Sequence, residues 1–164
     1  MRRTEPLLAL ICTILTLTSY CVLADPLSTS EKGAQIHINT PLNGATVSGP
    51  IRIVIDSRMI MMMPEGVPHS GSGHIHLIVN PVGAPKPGDS LLSSSKHFSF
   101  QQGIDLKKGE RETSILLPAG NYQLQAVLGD HKHRAHQPPV VSELISITVP
   151  PQKPSQKSTK KATQ

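Results

Sequence analysis

The chain has 164 residues, 37% of them hydrophobic, with two Phe, two Tyr and no Trp, and its 16 Lys and Arg exceed its 11 Asp and Glu for a net charge of +5. A chain of this length accommodates one domain with a single core and flanking segments. Both cysteines, Cys12 and Cys21, fall near the start, so the rest of the chain has neither a disulfide nor a thiolate metal ligand.

Arg2 and Arg3 precede an apolar run from Leu7 to Leu23, and Val22-Leu23-Ala24 places small or aliphatic residues before Asp25. This is the arrangement of a cleavable secretory leader. The expectation is a signal peptide over 1–24 and a periplasmic or secreted protein that begins at Asp25. Thr13, Thr16, Thr18, Ser19 and Tyr20 interrupt the apolar run, which argues against a permanent span of roughly 20 apolar residues; no membrane span is expected after cleavage. Tyr20 precedes Cys21 where a lipid-attachment site takes a small residue, so lipidation is disfavoured. Loss of Arg2, Arg3 and Glu5 leaves 14 basic and 10 acidic side chains, a net charge of +4. Export, together with only Phe98, Phe100 and Tyr122 for base stacking, argues against nucleic acid as a partner.

Residues 25–32 read as an N-terminal linker, and 33–149 as the folded domain. Its pattern is alternation of apolar and polar residues, which signals half-buried strands. Ile36 and Ile38 alternate with His37 and Asn39; Ile51, Ile53 and Ile55 with Arg52 and Asp56; Ile75, Leu77 and Val79 with His74 and His76. Phe98 and Phe100 mark a fourth strand, Thr113 to Leu117 a fifth, Tyr122 to Leu128 a sixth, and Ile145, Ile147 and Val149 a seventh. Turn signals separate them at Pro41 to Gly44, Pro64 to Gly66, Pro81 to Gly88, Lys108-Gly109 and Pro118 to Gly120. About seven strands at this spacing predict an all-β fold, an antiparallel sandwich with immunoglobulin-like connections. Tyr122, opening the sixth strand after Pro118-Ala119-Gly120-Asn121, fits a tyrosine corner whose hydroxyl bonds back to the preceding turn; it also fits a plain core position. Residues 150–164 combine Pro, Lys, Ser, Thr and Gln without large apolar side chains and read as a disordered basic tail.

Histidine carries the functional signal. In the predicted topology the loop after the second strand, the start of the third strand and the loop after the sixth share one pole. They bring Met59 to Met63, His74 and His76, and His131, His133 and His136 to that pole. Residues two apart on a strand project to one face about 6.6 Å apart, so His74 and His76 can bend toward one ion. Imidazoles suit zinc and copper, and a thioether from Met61, Met62 or Met63 would shift preference toward Cu(I). The candidate metal ligands are therefore His74, His76, His131, His133 and His136, with copper or zinc as the ion. The alternatives are that the histidines are exposed polar side chains on strands and loops and that the methionine run fills the core. Asp130 fits a turn residue or a partner orienting a ligand histidine. His37, His69 and His97 read as ordinary surface or loop residues.

Gly73-His74-Ile75-His76-Leu77-Ile78-Val79-Asn80, His97-Phe98, Leu117 to Leu124, Gly129-Asp130-His131-Lys132-His133 and Pro138-Pro139-Val140-Val141-Ser142 together resemble the exported bacterial family termed domain of unknown function 4399, over residues 50–149. The resemblance implies that His74, His76, His97, Asp130, His131 and His136 occupy family positions. The chain departs from the family pattern at Ile75, where a histidine is usual, and at Asn80, where an acidic residue is. The family brings no established activity.

Three functions follow as expectations. The first is a periplasmic protein that binds copper or zinc at the histidine pole, for storage, delivery or tolerance. The second is a metal-free envelope module that presents this pole and the basic tail to another protein or an anionic polymer. The third is catalysis, which would require an open metal position and a base such as Glu65 or Asp130. No nucleophile motif, phosphate loop or paired-carboxylate signature supports it, and the expectation is that the protein is not an enzyme.

Overall fold

A computed structural model of the protein describes residues 25–151; the expected leader over 1–24 and the tail from 152 lie outside the described residues. Among the described residues there is no helix. The strands, in chain order, are β1 (Gln35–Thr40), β2 (Ala45–Thr46), β3 (Ile51–Arg58), β4 (Met61–Met62), β5 (Ser72–Val79), β6 (Val82–Gly83), β7 (Phe98–Ser99), β8 (Gln102–Leu106), β9 (Glu112–Ile115), β10 (Gly120–Gly129) and β11 (Ile145–Val149).

The protein is an all-β sandwich. One sheet runs β1-β3-β9; the other runs β2-β11-β10-β5, and the far edge of β5 is shared by β4 at its start and β8 along its length. Ile36, Ile51, Ile53, Ile55 and Ile115 of the smaller sheet meet Ile75, Leu77, Val79, Leu124, Ala126, Leu128, Ile145 and Ile147 of the larger one. Alternation is the reason: β-branched residues at every second position place one apolar face of each sheet against the other. The Tyr122 hydroxyl donates to the Pro118 carbonyl at 3.0 Å, as the tyrosine corner requires, while its ring joins the core.

The expectation of purely antiparallel pairing is corrected in two places. β2 runs parallel to β11, and β4 runs parallel to β5. These ladders do not by themselves establish immunoglobulin-like wiring. The short strand expected at Phe98 and Phe100 is β7, paired with β6, while the neighbour of β5 is β8, a strand the pattern did not announce.

The larger sheet is covered on its outer face as well. Ile78 and Val127 point away from the sandwich and pack with Leu91, Phe98 and Ala135 in a second apolar cluster. All eight residues of β5 are consequently buried, the condition of a strand covered on both faces. His74 and His76, on the outward side with Ile78, are 0% and 1% exposed. They belong to a covered interior rather than to a solvent-facing pole. The segment before β1 lies on the same cover: Ser30 N donates to Gln137 O and Gln137 N to Ser28 O.

Candidate metal centre

Three elements supply the centre. β5 contributes His74 and His76, two residues apart on its outer face. β8 contributes Asp105, which stands directly opposite His76 in the antiparallel register; its neighbours Ile104 and Leu106 pack on the sandwich core, so Asp105 takes the outer face. The loop after β10 contributes His133. Asp130 builds that loop: its carboxylate accepts from the amides of Lys132 and Arg134 at 2.8 and 2.9 Å, and from Arg134 Nε and Nη2 at 3.0 and 2.9 Å. An aspartate bonding the backbone two residues on is an Asx turn. Burial alone would raise the Asp130 pKa, but these donors outweigh it and lower it. The turn leaves His133 at φ 59, a left-handed conformation uncommon for a residue with a Cβ, and its ring faces the sheet.

The four side chains converge on one point. His74 Nε2 lies 3.1 Å from His76 Nε2, 3.1 Å from His133 Nδ1 and 3.2 Å from Asp105 Oδ1. His133 Nδ1 is 3.1 Å from Asp105 Oδ2, and one donor atom from each residue falls within 4.8 Å of all the others. An imidazole nitrogen has a single in-plane site, either a proton or a lone pair. His74 Nε2 therefore cannot satisfy three polar neighbours by hydrogen bonding. Donors about 2.0–2.1 Å from a tetrahedral ion stand about 3.3 Å apart, so the observed separations suit an ion at the centre. The group can hold a metal ion.

The electrostatics agree with that reading. Burial, reinforced by His74 and His133, lowers the His76 pKa to about 2. Burial also lowers that of His74, against the pull of Asp105. Both rings are thus neutral, the form that ligates. Asp105 buries both carboxylate oxygens without a hydrogen-bond donor, an arrangement that is costly unless a cation compensates it.

The surroundings shape the site. A Cβ on Gly129 would come within 2.5 Å of His76 Nε2, and one on Gly73 within 2.1 Å of the Gly129 carbonyl; only glycine lets β5, β10 and the His76 ring approach so closely. Behind His133, its Nε2 meets Glu65 Oε2 at 3.3 Å, and Lys107 Nζ lies 3.2 Å from the same oxygen. A carboxylate on the outer nitrogen fixes a ligand histidine's tautomer and orientation. Glu65 stands where such a carboxylate would act if His133 holds an ion, and Asp130 is the turn residue.

Of the five histidines expected as ligands, His74, His76 and His133 come together, and His131 and His136 lie outside the group. His131 lines a separate groove with Asp25, Leu27 and His69, because the Asx turn directs residues 131 and 133 apart. His136 is fully buried, with Nε2 positioned 3.1 Å from where a Gly73 Cβ would stand. His97 is exposed ahead of β7, and His37 and His69 are exposed too. The residue that sequence reasoning missed is Asp105. Its signal was the alternation Ile104-Asp105-Leu106, which marks an outward-facing acidic residue on a strand.

The sequence profile of the domain of unknown function DUF4399 matches residues 53–150. That span covers more than half of the chain, and the chain belongs to this family. No curated protein and no solved structure matches it.

Proposed function

We propose that this member of the DUF4399 family is an exported, non-catalytic protein that binds one divalent transition-metal ion, zinc or copper, for storage or delivery. The ligands are His74, His76, His133 and Asp105. The observation that carries the reading is His74 Nε2, a buried nitrogen with three polar neighbours at 3.1–3.2 Å that no proton arrangement satisfies together. Three imidazoles and a carboxylate suit borderline divalent ions, with Cu(II) binding more tightly than Zn(II) to a given site. Four protein donors close a tetrahedral shell, whereas a catalytic zinc keeps a position open; this supports holding over hydrolysis. Export rests on the leader pattern of residues 1–24.

Native mass spectrometry of the purified exported protein, offered Zn(II) and Cu(II) separately, tests the reading. One ion per chain is expected for the wild type and none for His133→Ala, whose side chain is partly exposed and whose loss leaves the core intact. Saturating metal, at about 1,000 times Kd, should add about 4 kcal/mol of stability, visible as a chelator-reversible rise in Tm. Stoichiometric binding unchanged in the variant would overturn the assignment.

A further inference from the structure

The methionine run supplies none of the four donors, yet its register puts it beside them. Met61 pairs with Ser72 and Met62 with Gly73 in the parallel ladder of β4 on β5, and Met63 N donates to Gly73 O at 2.8 Å, so Met63 stands next to His74. Side chains alternate between faces along this stretch. Met62, with Gly73 and Ile75, takes the inner face and packs on the sandwich core. Met61 and Met63 take the outer face, the one that carries Ser72, His74 and His76. Two residues further on, Glu65 reaches His133 Nε2, which puts this segment along the rim of the metal centre.

Core packing accounts for Met62 alone. Met61 is 53% exposed and Met63, level with His74 in the ladder, is partly buried. Thioether sulfur is soft, carries no proton and suits Cu(I), while the nitrogen and oxygen donors inside suit divalent ions. We propose that Met61 and Met63 form a Cu(I)-selective site on the rim of the His/Asp group, separate from the divalent ion that this group would hold. The inference rests on the reading that the His/Asp group holds metal, and it adds a second class of ion.

The test is anaerobic titration of the exported protein with Cu(I) against bicinchoninate, with Zn(II) and Cu(II) titrated in parallel, on the wild type and on Met61→Leu/Met63→Leu. Leucine preserves apolar bulk, so folding is retained. The double variant should lose about tenfold or more in Cu(I) affinity and keep its Zn(II) affinity, and X-ray absorption of the Cu(I)-loaded wild type should show sulfur neighbours that the variant lacks. Unchanged Cu(I) affinity, or a Cu(I) spectrum of nitrogen and oxygen alone, with Zn(II) binding intact, would overturn the thioether site and leave the His/Asp reading standing. Sulfur-bound Cu(I) in a wild type that takes neither Zn(II) nor Cu(II) would uphold the thioethers and overturn the His/Asp reading. Binding of none of the three ions would overturn both.

Discussion

The two faces of β5 are buried to the same degree and do opposite things. Inward, Ile75, Leu77 and Val79 close the sandwich with apolar contacts alone. Outward, His74 and His76 share their face with Ile78 and meet Asp105 and His133. The inner face is complete as the chain folds, because apolar burial needs no partner chemistry. The outer face gathers groups that hydrogen bonding cannot satisfy together, and on the proposed reading it would reach its full stability only with a bound ion. Burial alone does not separate a structural face from a functional one; the unsatisfied polar atoms do.

Three experiments sharpen this contrast. The largest effect belongs to the inner face: Leu77→Ala should cost about 2–5 kcal/mol, by the same amount with and without metal, measured by denaturant unfolding with chelator or Zn(II) present. A cost that varied with metal would break the separation of the faces. The second effect is pH-dependent and belongs to the outer face. His74, His76 and His136 all have pKa values lowered by burial, so the unfolded chain binds more protons than the folded one below the ordinary histidine value. Their contribution is fully present above about pH 6.5 and is lost as pH falls below it, with His76, whose pKa is lowered to about 2, contributing about 1.4 kcal/mol per pH unit. Metal-free protein unfolded at pH 7, 6 and 5 should show this decline, and His76→Leu should make it shallower; an equal slope in that variant would remove His76 from the account. The smallest effect is that of the carboxylate behind His133: Glu65→Gln should weaken metal binding by about 10–100-fold and leave the metal-free Tm almost unchanged, as a competitive chelator titration would report.

Much of the sandwich was legible because its strands alternate cleanly. Ile51, Ile53 and Ile55, and Ile145, Ile147 and Val149, sit in the core where period-two patterning puts them. The pair His74 and His76 was equally plain, since strand geometry alone aims both rings to one side. Asp105 was not legible, because Gly103 and the flanking turn signals conceal a five-residue strand, and an acidic residue between Ile104 and Leu106 describes any solvent-facing edge. Only the cover laid down by the 80–100 and 130–141 segments turns that edge into an interior. The choice of His133 over His131 depended on the Asx turn at Asp130. Histidine spacing on a loop carries no information about which way such a turn directs each ring.

The donors are far apart along the chain: 59 residues separate His74 from His133, and Asp105 arrives on a third segment. No local fragment holds all four donors, so an extended polypeptide does not present this set. The centre exists once the sheet is paired and its cover is in place. On the proposed reading of an exported metal protein, the ion that fills it would be decided by what is available in the compartment where folding finishes, rather than where the chain is synthesised.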